Sequence, residues 1–297
     1  MIDKAWHEAN PMPPHATLDQ RIAWHLDHAA NCGCRDIPES IKQELKRRGV
    51  PVPRRRETMA SAPGGTTMLL PLGDLVDPVP AVPPGRVTIE GSAVSLVPFD
   101  AETHAPALFE AVAGRDDLWA YLASGPFPDL DSFTAHYAAA AEKSDPLLFA
   151  IIDRASGTAV GHATYLRIAP ADRVVEVGNI LYSPLLQQTR GATEAMYLMA
   201  RHAFEDLGYR RYEWKCNALN APSRRAALRL GFTYEGTFRQ HMIVKGRNRD
   251  TAWFSMLSHE WPRAKAAFEA WLDPENFGED GIQRSSLAAL REATGSA

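Results

Sequence analysis

No run of apolar residues in this chain approaches the roughly twenty that a membrane-spanning helix requires. The opening Met1-Ile2-Asp3-Lys4-Ala5-Trp6-His7 lacks the hydrophobic stretch of a secretory signal, so a soluble, cytoplasmic protein is expected. Cysteine is scarce. Cys32, Cys34 and Cys216 cannot supply the disulfide framework of a small secreted domain, and the first two are too close together for an ordinary bridge. Neither sign of charge dominates: 32 Lys and Arg against 36 Asp and Glu leave a net charge of −4. With a pI near 6.2, that balance argues against general nucleic-acid binding, which favours a basic face. No internal repeat is present. What is present, over 297 residues, is 45% hydrophobic and 9% aromatic content, enough for a globular protein with a substantial core.

The chain reads as four stretches. Residues 1–49 form a small helical segment. Leu18, Ile22, Leu26 and Ala29 make an apolar stripe behind Thr17, which predicts a helix from Leu18 to about Asn31, and a shorter helix follows from Pro38 to Arg48. On the first of these, His25, His28 and Cys32 share roughly one face, with Cys34 just beyond. Imidazoles and thiolates in that mixture suit zinc. The spacing matches no standard zinc module, and the same residues suit plain packing in a structural mini-domain, so no metal ligand is assigned. Residues 50–86 hold Arg54-Arg55-Arg56 and then many prolines. They read as an extended linker, with the arginines as solvated charge and Met68-Leu69-Leu70 as a strap against a core.

Residues 87–262 carry the main domain. A strand at Val94-Ser95-Leu96-Val97 and a helix over Glu102–Val112 open it, and a second helix spans about Asp131 to Glu142. Strands follow at Leu147–Ile152, Ala159–Ile168 and Val174–Tyr182. Thr233–Val244 and Thr251–Leu257 form a hairpin turned at Lys245-Gly246-Arg247-Asn248. Residues 263–297 are a helical tail whose role is not legible.

Between Tyr182 and Phe232 the pattern becomes informative. Gln188-Thr189-Arg190-Gly191-Ala192-Thr193 leads from a polar turn into an amphipathic helix that Gly208 can end. The first N–H groups of a helix have no internal partner and its dipole adds positive potential, so this turn suits an anion, as Gly191 and the fixed charge of Arg190 also would. An ordinary loop-to-helix junction has the same composition. Tyr209 to Cys216 alternates as a strand with one buried face. Then Asn220 suits an N-cap, Pro222 a first turn and Gly231 a helix stop.

The order loop, helix, strand, Asn220-x-x-Ser223, helix, Leu230-Gly231-Phe232 resembles the acetyl-CoA-binding half of the GNAT superfamily of N-acetyltransferases. Gln188-x-x-Gly191-x-Thr193 matches the family's Gln/Arg-x-x-Gly-x-Gly/Ala loop at its first and fourth positions and departs at the sixth. Thr193-Glu194-Ala195, Ser223 and Arg249-Asp250-Thr251-Ala252-Trp253-Phe254-Ser255 are most similar to the branch of ribosomal-protein N-terminal (alanine/serine) acetyltransferases. The resemblance covers roughly residues 90–262.

It implies an α/β GNAT fold, a mixed, mostly antiparallel sheet flanked by helices, and transfer of an acetyl group from acetyl-CoA to a primary amine. The acceptor would be a protein N-terminus or a small amine, and the enzyme a monomer or homodimer. In that family the strand at Val174–Tyr182 carries a bulge, here at Gly178 or Asn179, and diverges from its neighbour. Ile180, Leu181 and Tyr182 would pair with pantetheine, and Gln188 to Thr193 would hold the pyrophosphate. Asn220 would bond the pantetheine arm, and Ser223 would protonate the leaving thiolate unless it is a plain first-turn residue. Glu176 would be the base, or else a carboxylate paired with an arginine. Trp119, Tyr121 and Phe127 would shape the acceptor wall or pack in the core, while Arg239, His241, Arg249 and Asp250 would meet substrate charge or form a salt-bridged surface. The tyrosine that many relatives use as acid is replaced by Ala227. That departure leaves a catalytically weak acyl-CoA-binding regulatory module as the alternative.

Overall fold

The computed structural model describes residues 4–32, 34–53 and 72–294. The chain divides into two compact units, Met1–Leu75 and Val76–Ala297. The first contains α1 (Lys4–Ala9), α2 (Leu18–Asn31) and α3 (Glu39–Arg47). α2 begins at a reciprocal cap: the Gln20 N–H donates to Thr17 Oγ1, and the Thr17 N–H donates to Gln20 Oε1. Two orphan donors are thereby satisfied at the helix start. Ile22, Ala29, Ile37, Ile41 and Leu45 form a small core. His25 leaves the face expected for it and packs edge-on against Trp24, whereas His28, Cys32 and Cys34 converge with His7 of α1. The arginine run at 54–56, the strap at 68–70 and the prolines at 63 and 71 lie outside the described residues.

The second unit is one eight-stranded sheet. Its strands are β1 (Ile89–Glu90), β2 (Val94–Pro98), β3 (Leu147–Asp153), β4 (Ala159–Ala169), β5 (Val174–Tyr182), β6 (Arg211–Asn217), β7 (Thr233–Val244) and β8 (Arg247–Leu257). They lie in the order β1-β2-β3-β4-β5-β6-β8-β7, antiparallel except between β5 and β6. Alternation along β3 shows how the sheet is covered on both faces. Leu147, Phe149 and Ile151 join the larger core, while Leu148 and Ala150 join a second one. That second core is covered by α4 (Ala101–Ala111) and α5 (Leu130–Ala141), whose N-cap residues Asp100 and Asp129 accept from Thr103 and Ser132 N–H groups.

The larger core is covered by α6 (Arg190–Arg201), α7 (Ala221–Leu230), α8 (Trp261–Leu272) and α9 (Leu287–Ala293). Trp261, Phe268, Trp271 and Leu287 are buried in it, so the stretch read as a tail is part of the main core. Before β1 the chain is extended but anchored, with Ala81 N–H donating to Pro170 O and Val82 N–H to Leu207 O. Glu194 on α6 holds the β1–β2 turn by accepting from the N–H groups of Ser92, Ala93 and Val94 at 2.8, 2.6 and 2.9 Å. The β7–β8 hairpin closes on two residues, Lys245 and Gly246, with φ of 49° and 70°, the signs a type I′ turn needs. Among the described residues no helix is long and apolar enough to cross a membrane.

Candidate active site

The site begins with an irregularity in β5. Across the β4–β5 ladder, His162 pairs with Leu181 and Thr164 with Gly178, so two steps on β4 span three on β5. The extra residue is Asn179, at φ 46°, a conformation that Asn tolerates better than most residues. A bulge of this kind bends its strand and redirects it. On the other side, parallel pairing with β6 runs from Val174↔Arg211 to Val177↔Trp214 and ends there, although both strands continue. The edge of Gly178–Tyr182 facing β6 therefore lacks a strand partner, and between the diverging strands lies a cavity of about 330 Å³.

Four of the expected residues line that cavity together: Glu176, Ile180, Asn220 and Ser223. Asn220 caps α7, its Oδ1 accepting from the Ser223 N–H at 3.1 Å. Ser223 Oγ accepts from Trp214 Nε1 at 3.0 Å, and its own O–H stands beside the Cys216 side chain. An N–H directed at a hydroxyl oxygen also stabilises negative charge developing there. Cys216, with a thiol pKa raised by burial, lines the cavity from β6 two residues beyond Trp214.

Glu176 is buried and ion-paired. Its Oε2 lies 2.9 Å from Lys215 Nζ and also meets Arg167 Nη1, while Oε1 lies beside Gly178, 3.3 Å from where a Cβ on that glycine would stand. Lys215 Nζ also pairs with Glu213 Oε2 at 2.6 Å and sits 3.7 Å from the centroid of the Trp253 ring. Arg211 closes the chain of charges, 2.7 Å from Glu213. Charges removed from water persist only when paired in this way. Arg249 also lines the cavity. Burial lowers its pKa, and its Nε has no partner among the described residues.

β6 was expected to bury one face; it buries both, the second through this ion cluster, with Glu213 and Lys215 only 7% and 9% exposed. Lys215 and Arg167 were therefore missed as cavity residues. The one available signal was that a charge at every second position of Arg211-Tyr212-Glu213-Trp214-Lys215 alternates in sign, so that each can be paired. Of the expected acceptor wall, Tyr121 lines the cavity with Leu118 and Leu122, whereas Trp119 and Phe127 pack edge-to-face in the second core. On the hairpin, Arg249 alone of the four candidates reaches the cavity. Asp250 instead fixes the hairpin by accepting from Gln240 N–H and Asn248 Nδ2, and His241 bonds Thr251.

Past the cavity, Leu181 is buried and Tyr182 donates its hydroxyl to the Ala192 carbonyl at 3.0 Å, tying β5 to the first turn of α6. Thr189 is the N-cap, its Oγ1 accepting from Ala192 N–H at 3.2 Å. The N–H groups of Arg190 and Gly191 then have no acceptor within the helix. Gln188 precedes them at φ 62°, exposed at the turn. Three residues of this turn make contacts of their own in the structure. Gly191 is required by packing, since a Cβ there would stand 2.7 Å from Val94 Cγ1. Arg190 directs its guanidinium to the Leu272 carbonyl and over the Phe277 ring, at 4.5 Å. Thr193 is buried, its Oγ1 accepting from Arg229. What the turn retains for an anion is its backbone.

One buried titratable pair was also missed. His162 Nε2 and the Tyr137 hydroxyl are 2.7 Å apart, and burial pushes the His162 pKa down to about 3, leaving the imidazole neutral.

Comparison with known proteins places these features among relatives. Residues 94–233 match the family model described as an acetyltransferase (GNAT) domain. A GCN5-related N-acetyltransferase from Brucella melitensis is 46% identical, with 72% of this chain and 98% of that one covered and a TM-score of 0.71. A probable acetyltransferase of the GNAT family from Chromobacterium violaceum is 44% identical, with 65% and 98% covered and a TM-score of 0.61. The Vibrio cholerae structure whose name ties it to ribosomal-protein-serine acetylation is 20% identical, with 59% and 99% covered and a TM-score of 0.50. At that distance the likeness is one of fold alone. Among curated proteins nothing matches.

Proposed function

The chain belongs to the GNAT acetyltransferase family, and from that premise we propose that it moves an acetyl group from acetyl-CoA to a primary amine, borne by a protein N-terminus or a small molecule. The observation that carries this reading is the parting of β5 and β6 beyond Val177↔Trp214, with Glu176 on one wall of the gap and Ser223 on the other. Acetyl-CoA enters as substrate. The unpartnered edge of Ile180, Leu181 and Tyr182 takes pantetheine as an added strand, helped by Asn220. The backbone of Gln188 to Thr193 takes the pyrophosphate at the start of α6. A backbone N–H near Leu181 polarises the thioester carbonyl, and preorganised donors of this kind contribute a few kcal/mol to lowering a barrier.

The amine nitrogen attacks the thioester carbon and the C–S bond breaks. Glu176 accepts the amine's proton through Oε1, directly or through a water, while Lys215 and Arg167 hold Oε2. Ser223 donates its proton to the departing thiolate, and the Trp214 N–H stabilises the oxygen left behind. Glu176 and Glu213 balance Arg167 and Lys215, which leaves Arg249 as the further cation lining the cavity and favours an acceptor carrying an anionic group near its amine.

The test is thiol release from acetyl-CoA over peptides with varied N-termini and over small amines, with calorimetry for CoA alone. Release with one acceptor class supports the proposal. CoA binding without release across the panel supports the alternative, a catalytically weak acyl-CoA-binding module.

A further inference from the structure

The N-terminal unit, taken by itself, is too small to stand on its hydrophobic core. Five buried apolar residues, Ile22, Ala29, Ile37, Ile41 and Leu45, make up the cluster, with Leu26 packed against it. Units of a few tens of residues usually need a disulfide or a metal to offset the entropy of ordering. Neither Cys32 nor Cys34 is in a disulfide.

Instead, four side chains converge. His7 comes from α1, His28 from the last turn of α2, Cys32 from its C-cap and Cys34 from just beyond. Their ligating atoms all lie within 4.8 Å of one another. His7 Nε2 is 3.3 Å from Cys34 Sγ and 3.4 Å from Cys32 Sγ, and His28 Nε2 is 3.3 Å from Cys34 Sγ. Around a tetrahedral zinc ion with bonds of about 2.3 Å to sulfur and about 2.05 Å to nitrogen, adjacent nitrogen and sulfur donors stand about 3.5 Å apart. The observed separations fall within a few tenths of an ångström of that value. Two aromatic rings pack against the histidines: Trp24 stacks on His28 at 4.9 Å, and Trp6 meets the His7 and His28 rings at 5.3 Å. Trp24 is itself fixed, its Nε1 donating to Asn10 O at 2.8 Å. Such packing fixes the orientation of the two ligating rings.

We propose that His7, His28, Cys32 and Cys34 form a structural zinc site that fastens α1 to the end of α2. Two thiolates and two imidazoles in a tetrahedral arrangement select zinc over harder or square-planar metals. Four protein ligands leave no position open for substrate, so the ion holds the unit together and performs no chemistry. The site is independent of the acetyl-transfer reading.

The test uses the full-length chain, purified without chelator and equilibrated with zinc alone. Elemental analysis is expected to give about one zinc per chain, as one closed four-ligand site requires. Cobalt in its place is expected to show intense visible bands of a tetrahedral ion and thiolate-to-cobalt charge transfer. Cys32→Ser with Cys34→Ser, and separately His7→Ala, abolish binding, while His25→Ala, at the neighbouring histidine that points elsewhere, retains it. The cobalt spectrum of the parent chain reports the ligand set even if the ligand variants unfold. A parent chain that takes up no zinc, a cobalt spectrum without thiolate charge transfer, or zinc unchanged in His7→Ala would each overturn the assignment.

Discussion

Replacing Ser223 with Ala removes one oxygen, and the surroundings determine what is lost with it. The Ser223 N–H still donates to Asn220 Oδ1, so the α7 cap survives. The Trp214 indole N–H loses its acceptor at 3.0 Å, but Ser223 lines a cavity that admits water. The stability cost therefore falls at the low end of the range for an orphaned donor, about 1 kcal/mol, or about 2–4 °C in Tm for a unit of this size. Catalysis suffers more. Without a positioned acid the thiolate must leave unprotonated, and kcat falls by about 100-fold or more, equivalent to about 2.7 kcal/mol of barrier. CoA affinity is unchanged, because Asn220 and the start of α6 are untouched. Ser223→Thr, which keeps a hydroxyl, restores most of the rate. The assay is steady-state thiol release with the acceptor found in the amine panel, alongside CoA calorimetry and thermal melts. If Ser223→Ala keeps kcat within about threefold of the parent, less than ~1 kcal/mol of barrier, Ser223 is not the acid.

Gly191→Ala places a Cβ 2.7 Å from Val94 Cγ1, a buried methyl on β2. Overpacking of this kind costs about 1–3 kcal/mol, so denaturant melts should shift and CoA binding should weaken together. Glu194→Ala leaves the N–H groups of Ser92, Ala93 and Val94 without their shared carboxylate; a loss of about 3 kcal/mol or more is expected, and a loss below ~1 kcal/mol would mean the β1–β2 turn is held by something else. His162 supplies a pH dependence. Its folded pKa of about 3 lies below the ordinary 6.5, so between those values the unfolded chain binds the extra proton and stability falls as pH falls. The slope approaches about 1.4 kcal/mol per pH unit and vanishes above pH 6.5. In His162→Gln this component should disappear from the difference between the two stability curves.

Much of the site was legible because short-range chemistry dictates it. Thr17, Asn220 and Gly231 punctuate helices through caps that need nothing beyond their own turn, and α2 and α7 start where those residues require. β5 and its bulge follow from a strand pattern and the family's known irregularity. What escaped notice depends on distant partners. Glu213, two residues away on β6, is a local partner, but nothing local to Lys215 indicates that Glu176 of β5 will meet it or that Trp253 of β8 will lie beneath it. Nothing local to Arg190 indicates that its guanidinium will meet the Leu272 carbonyl at the end of α8. His7 is separated from His28 by the loop between α1 and α2, and helical spacing within α2 pointed to His25, which turns toward Trp24 instead. The substrate cannot be read in the same way, since it is selected by loops and a cavity that similar folds vary freely.

The most direct test of the central claim is acetyl-CoA turnover by the purified chain, followed as thiol release over a panel of peptide N-termini and small amines. The account predicts release with one amine class, best for an amine with a neighbouring anionic group, and loss of that release in Ser223→Ala with CoA binding intact. A chain that binds no CoA would contradict it.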